Sequence, residues 1–442
     1  MTGVRRAAAA WASGRGALAV AVVLTWGRAA SAQAAVAADA AGIPVTGIAV
    51  PELRSFDEAM LAYMARHRLP GGALAVVKDG RLVLARGYGY ADRERNEPVQ
   101  PTSLFRLASV SKPITAVAIL TLVQSGKLDL ETKAFPLLGL KPFLKPGAVE
   151  DPRINEITVR QLLHHMGGFD RDKSGDPMFQ HFQIAREMGI PSPPDHRSLI
   201  RWVMGRPLDF DPGSREAYSN FGYCVLGRII EKVSGRPYEA YVRDAVLRPA
   251  GIQRMRIGNG RPEERAPGEV RYYDLASERI RAYDSGARVR LAEVPYAFAS
   301  PRTLDAHGGW IASAVDVARF ATSLDRPRGR PLLNPKITAL MYERPEPPVG
   351  LDKDGRPADV YYACGWLVRP VGSDGAANYW HNGSMPGTFA LLVRRHDGLS
   401  WAALFNQRVT ESGPDDSIDL ALHRAAAAVE RWPSGDQFGH YP

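Results

Sequence analysis

A serine and a lysine stand three residues apart in Leu107-Ala108-Ser109-Val110-Ser111-Lys112-Pro113-Ile114-Thr115, where an apolar helix begins. Along a helix this spacing returns two side chains to nearly one face, with roughly 5–6 Å between their Cβ atoms, so an amine reaches a hydroxyl. A serine hydroxyl is a weak nucleophile until a neighbouring base takes its proton, and Lys112 is placed to be that base. Pro113 lacks an N–H and fits only the first helical turn, which puts Ser109 at or just before the helix start. There the free backbone N–H groups and the positive end of the helix dipole favour a developing oxyanion. By itself the run is short, and an N-cap serine (Ser109 or Ser111) followed by a solvated lysine satisfies it as well.

Two further clusters carry chemistry. In Ala217-Tyr218-Ser219-Asn220-Phe221-Gly222-Tyr223 a phenol and an amide sit two apart before a helix. Tyr218 can relay a proton and Asn220 can hold a lysine or a substrate carbonyl; alternatively Asn220 is the helix N-cap and Tyr218 packs. In Trp380-His381-Asn382-Gly383-Ser384, read as the end of a strand, Gly383 admits a substrate close to the backbone, and an edge N–H can point at a reacting carbonyl. A surface turn with an incidental histidine is the plainer reading of that segment.

The elements that must position these residues are legible from periodicity and turn chemistry. A helix is predicted over Glu52 to His67, ended by Pro70-Gly71-Gly72. Strands Ala73 to Val77 and Leu82 to Ala85 flank Lys78-Asp79-Gly80-Arg81, a hairpin signal. The Ser109 helix runs to about Gln124 with Gly126 as its stop. Residues 137–296 are irregular and proline-rich, with helices at Thr158 to His165, capped by Thr158, and at Phe221 to Val233, closed by Gly235. Strands return at Tyr362–Arg369, Ala377–His381, Thr388–Arg395 and Ser400–Asn406, and a helix from Ser417 to Trp432 follows. The predicted class is α+β: an antiparallel sheet built from both chain ends and flanked by helices (49–136 and 297–436), with an inserted, mainly helical lobe (137–296) and the site in the cleft between.

Arg5 and Arg6, the apolar stretch Ala17 to Thr25 and Ala30-Ser31-Ala32 read as a secretion signal over residues 1–32, followed by a small-residue leader over 33–48. The paired arginines are compatible with a twin-arginine or a general secretory route. A mature protein in the periplasm or outside the cell follows, with no stable membrane insertion, since no later segment offers roughly twenty apolar residues. Removing the segment takes away four arginines and no acid, so the formal charge of +9 over 442 residues becomes +5 over 410. No dense basic run with interleaved aromatics accompanies this charge, and nucleic acid is excluded as a partner. Two cysteines, Cys224 and Cys364, exclude a disulfide scaffold; they either pair or stay as buried thiols. There is no G-x-S-x-G, P-loop, H-E-x-x-H or strand-borne G-x-G-x-x-G. The doublet His164-His165 does not converge on one ion from adjacent helical positions, and Ser111, adjacent to Lys112, points elsewhere. No metal and no cofactor are expected.

Taken in order, Ser109/Lys112, Tyr218/Asn220 and His381/Gly383 resemble the S-x-x-K, Y-x-N and K-T-G signatures of the serine β-lactamase and penicillin-binding-protein-like hydrolases, in the branch with class C β-lactamases, DD-peptidases and esterases. Thr158-Val159-Arg160-Gln161-Leu162-Leu163-His164-His165-Met166-Gly167-Gly168 and Gly308-Gly309-Trp310-Ile311-Ala312-Ser313 add to the resemblance, which spans about residues 50–430. It implies acyl transfer through Ser109, with Lys112 and Tyr218 sharing its proton and Asn220 holding Lys112 and substrate. It also implies an oxyanion hole made by the backbone N–H groups of Ser109 and Ser384. The implied partner is a small ester, amide or peptidoglycan-derived substrate. Two departures stand out. His381 replaces the lysine that binds a β-lactam carboxylate, which makes carboxylate recognition weak and pH-dependent if the imidazole binds as a cation. Asn382 replaces threonine. An esterase or a DD-peptidase-like enzyme is therefore expected ahead of a β-lactamase or a non-catalytic penicillin sensor.

Overall fold

A computed structural model describes residues 43–441 apart from 277, 287, 326–330, 347, 348, 350, 353, 373 and 374. The segment read as signal and leader thus lies almost wholly outside the described residues. Among those described, no helix is long and apolar enough to cross a membrane.

Both chain ends build one antiparallel sheet. From the first come β1 (Val45–Thr46), β2 (Gly71–Lys78) and β3 (Arg81–Asp92). From the second come β4 (Tyr361–Tyr362), β5 (Leu367–Val371), β6 (Ala376–Met385), β7 (Thr388–Arg394) and β8 (Leu399–Phe405). Their order is β1-β3-β2-β8-β7-β6-β5-β4, so the two ends meet at the β2–β8 pair. The hairpin between β2 and β3 turns on Asp79 and Gly80, both at positive φ (50° and 77°), as a two-residue loop joining twisted strands requires.

Strand alternation sorts the sheet into two faces. Leu74, Val76, Leu391, Val393, Trp401 and Phe405 pack beneath α1 (Arg54–His67) and the last helix, Ile418–Ala427. The opposite face carries small residues, Ala73, Ala75, Ala390 and Ala402, which let helices lie close. The core on that side includes α2 (Ser111–Gln124), buried at every position from Ser111 to Leu120 and packed against helices from the middle of the chain. That middle segment supplies α3 (Val159–Leu163) and α4 (Asn220–Ser234), and α5 (Ala314–Asp325) packs back onto the sheet.

Several boundaries differ from the sequence reading. Arg68 ends α1 in the left-handed region at φ 53°, and Gly71 and Gly72 open β2 instead of stopping the helix. The last helix stops at Ala427, short of Trp432. Strand β6 does not end at the His381 cluster but continues to Met385, because β7 pairs with it throughout that stretch. Cys224 and Cys364 are unpaired and buried.

Candidate active site

Three elements converge on Ser109. The serine lies in a single 3-10 turn, Ala108–Val110, that runs directly into α2. Ala108 takes φ 46°, a left-handed conformation costly for a residue with a Cβ, so the turn is held by its surroundings. Leu107 N–H donates to the Trp310 carbonyl at 2.9 Å, tying the turn to the short strand Trp310–Ala312. Val110 N–H closes the turn onto the Leu107 carbonyl at 3.1 Å. From the front the turn is braced by β6. An ideal Cβ on Gly383 would fall 2.1 Å from the Leu107 carbonyl oxygen and 2.9 Å from Ser109 N. Glycine at 383 therefore admits the backbone of the Ser109 turn, a close approach that the sequence reading assigns to substrate.

Lys112 is fully buried, yet its amine meets three oxygens: Asn220 Oδ1 at 2.7 Å, Ser109 Oγ at 3.1 Å and the His307 carbonyl at 3.2 Å. Burial, with the Arg171 guanidinium adding repulsion, holds the ammonium well below its ordinary range despite the opposing Asp176 carboxylate. A neutral amine has two N–H donors and one lone pair. Asn220 Oδ1 and the His307 carbonyl can only accept, so they take both donors. In that neutral form the lone pair faces the Ser109 hydroxyl, 3.1 Å away, and can accept its proton.

Asn220 is not the N-cap of α4. Ser219 is, accepting from Gly222 N–H at 3.1 Å, which frees the Asn220 amide for the lysine. Asn220 Nδ2 donates to Asp176 Oδ2 at 2.7 Å. Half-buried Tyr218 has its ring centroid 4.6 Å from Lys112 Nζ, and the phenol is within hydrogen-bonding reach of Ser109. Burial raises the phenol well above 10 and outweighs the Ser109 bond, so it keeps its proton. The His165 ring lies 4.3 Å from both the Tyr218 and Tyr362 rings and takes Ser219 N–H on Nδ1 at 3.1 Å.

His381 does not present a cation. It is 2% exposed, and burial, followed by repulsion from Lys112, pushes it down to about 3. Its Nδ1 faces the Asn382 carbonyl at 2.6 Å and must carry the proton. Nε2 is thereby the acceptor side of the ring and lies 3.0 Å from the Tyr362 hydroxyl. The neutral, sealed imidazole corrects the expectation that His381 binds a carboxylate as a cation. Asn382 and Ser384 stand opposite Leu391 and Phe389, so their side chains share the α1 face of the sheet and only their backbone is available to the cleft.

The structure brings Ser109, Lys112, Tyr218 and Asn220, all named from the sequence, to one place, with Gly383 against the Ser109 turn and His381 behind the cleft wall. Sequence reasoning missed Asp176, the His307 carbonyl, Tyr362 and Arg171, whose guanidinium lies 4.6 Å from the Tyr218 centroid. None of these carries a spacing signal, because each reaches the site by tertiary packing from a distant part of the chain: Tyr362 from β4, Arg171 from the short helix Arg171–Ser174, and Asp176 and His307 from the links between elements. His164 lies beside Cys364, Nε2 to Sγ 3.3 Å, in the buried core.

A mixed sheet-and-helix fold with a buried lysine beside a half-exposed serine defines the β-lactamase/transpeptidase class of proteins. A family model described as Beta-lactamase matches residues 56–425, and the chain belongs to that family. It is 31% identical to Esterase EstB of Burkholderia gladioli over 84% of this chain and 93% of the relative. Solved structures of similar fold include a D-amino acid amidase from Ochrobactrum anthropi SV3, with a TM-score of 0.63 at 21% identity over 86% of this chain and 99% of the other. Another is EstCE1, titled a hydrolase with promiscuous acyltransferase activity, with a TM-score of 0.62 at 21% identity over 85% and 99%.

Proposed function

We propose that this protein is a serine esterase that cleaves acyl substrates through a covalent intermediate on Ser109. The observation that carries the reading is the arrangement of Lys112 between two obligate acceptors, which leaves its lone pair to Ser109. As Ser109 Oγ attacks the carbonyl carbon, its proton passes to Lys112 Nζ. The backbone N–H groups of Ser109 and Ser384 hold the oxyanion, a contribution of about 3–4 kcal/mol per donor in other enzymes. When the tetrahedral adduct collapses, Tyr218 gives its proton to the leaving oxygen or nitrogen and recovers one from Lys112. Water then enters by the reverse sequence and releases the acid from Ser109.

An ester is favoured over a β-lactam or a D-Ala-D-Ala peptide because the cleft carries no cation at 381, and the similarity to an esterase covers most of both chains. The test is a fluorophosphonate label on the wild type and Ser109→Ala, beside turnover of p-nitrophenyl esters, a D-Ala-D-Ala peptide and nitrocefin. Label on the wild type alone, with ester turnover fastest, supports the reading; equal labelling of both proteins sinks it. The same reading has the mature chain start after Ala32 and act in the periplasm or outside the cell, which N-terminal sequencing of exported material checks.

A further inference from the structure

Between Lys112 and Tyr218 in the chain, a loop places one carboxylate against the site. Asp176 Oδ1 caps a 3-10 turn by accepting Met178 N–H at 3.0 Å, and Oδ2 accepts Asn220 Nδ2 at 2.7 Å. Asn220 Oδ1 in turn accepts from Lys112 Nζ at 2.7 Å, and Lys112 meets Ser109 at 3.1 Å. Four side chains thus form one line from a carboxylate to the nucleophile.

The direction of each bond in that line matters. Burial raises the Asp176 carboxyl, opposed by its bonds from Asn220 and Met178 and by the Arg171 and Lys112 charges. Both of its oxygens stand as acceptors, Oδ1 to Met178 N–H and Oδ2 to Asn220 Nδ2, whereas an asparagine amide offers a donor at one end and an acceptor at the other. Facing the accepting Oδ2 of Asp176, Asn220 turns Nδ2 toward it and Oδ1 toward Lys112. With the amide reversed, Nδ2–H would face the amine and occupy the lone pair that otherwise serves Ser109. Asn220 is 5% exposed, so water has little access to replace either partner.

We propose that Asp176 is a positioning residue for the reaction: it fixes the polarity of the Asn220 amide and thereby aims the Lys112 lone pair at Ser109. This rests on Ser109 being the acylated nucleophile. The carboxylate does not touch substrate, and its action passes entirely through Asn220.

Asp176→Asn separates this role from the cap. Asparagine is as good an N-cap as aspartate, so Oδ1 can still hold Met178 N–H. Its remaining NH2 then faces Asn220 and favours the reversed amide. Serine at 176 keeps a cap oxygen and imposes no polarity. The experiment measures, at pH 8, the rate of fluorophosphonate acylation and the p-nitrophenyl ester burst for the wild type, D176N, D176S, N220A, D176N/N220A and S109A, with thermal denaturation of each. The expected result is an acylation rate about 100-fold lower in D176N at an unchanged midpoint, the scale of losing a general base, with a smaller loss in D176S. D176N/N220A is expected to match N220A, because Asp176 has nothing to act through once the amide is gone. Wild-type acylation in D176N or in folded D176S overturns the proposal, as does multiplication of the D176N and N220A losses in the double variant. If D176N unfolds, D176S and the N220A comparison decide the matter. Wild type that labels no better than S109A overturns the nucleophile assignment and this inference with it; a labelled wild type with unchanged D176N overturns this inference alone.

Discussion

The carbonyl oxygen of Leu107 lies 2.1 Å from where a Cβ on Gly383 would stand, so the third motif and the nucleophile turn fit together only with hydrogen at that position. Strand β6 and the turn before α2 are therefore one mechanical unit, and the Ser109 backbone N–H is registered against the strand that carries Ser384.

Gly383→Ala forces that unit apart. Both contacts are to backbone, which cannot swing away, so the expected cost is about 1–3 kcal/mol of stability and a loss of Ser109 labelling on the order of 100-fold. Ser384→Ala, one residue on, keeps its backbone N–H and changes a side chain on the other face of the sheet; labelling within about twofold of wild type is expected. Comparable damage from both substitutions would contradict this geometry.

A lysine serves as a base only when neutral, and burial holds the ionisation of Lys112 well below that of a free lysine. The rate of acylation should fall as pH drops through that lowered value and the amine takes a proton. Arginine at 112 stays charged at every accessible pH and has no lone pair to offer. Lys112→Arg should acylate about 100-fold to 10,000-fold more slowly with no pH at which it recovers. A pH-rate series on both proteins checks this, and recovery of the arginine variant at high pH would refute it.

His381 is neutral in the fold and ionises only at about 3, while in the unfolded chain it protonates near the ordinary value of 6.5. Between those values the unfolded state binds the extra proton, so stability falls as pH falls from about 6.5 toward 3, by up to about 1.4 kcal/mol per pH unit. His164, held at about 3 by burial, acts in the same direction. Urea denaturation at pH 7.5 and pH 5 should show a smaller acid loss in His381→Gln than in the wild type. Equal losses would show that the imidazole is charged or exposed.

Thr158 and Gln161 close a capping box at the start of α3, with Gln161 N–H donating to Thr158 Oγ1 at 3.1 Å and Thr158 N–H to Gln161 Oε1 at 2.9 Å. Thr158→Ala removes one of these bonds and should cost about 1 kcal/mol, read as a lower thermal midpoint with unchanged activity at 25 °C. An unaltered midpoint would mean the cap is dispensable.

Local signals carried far because their physics is local. Asp79-Gly80 specified the hairpin, Thr158 the start of α3, Gly235 the end of α4 and Pro113 the first turn of α2. The errors came where tertiary pairing overrode local chemistry: Gly71 and Gly72 look like a stop but are paired into a strand, and β6 runs on because β7 accompanies it.

The same division holds at the site. Residue types and a three-residue helical spacing were enough to join Ser109 to Lys112, and chain order was enough to bring Tyr218, Asn220 and Gly383 into the reading, since each lies in a short motif. Charge state was beyond the sequence, because it depends on burial and neighbours. Only the packed structure makes His381 a neutral wall instead of a cation, sets Gly383 against the Ser109 turn, and places Asp176 on Asn220 from a loop 44 residues away. A sequence records which groups can exchange protons; the dielectric around them and the third group that orients them exist only after folding.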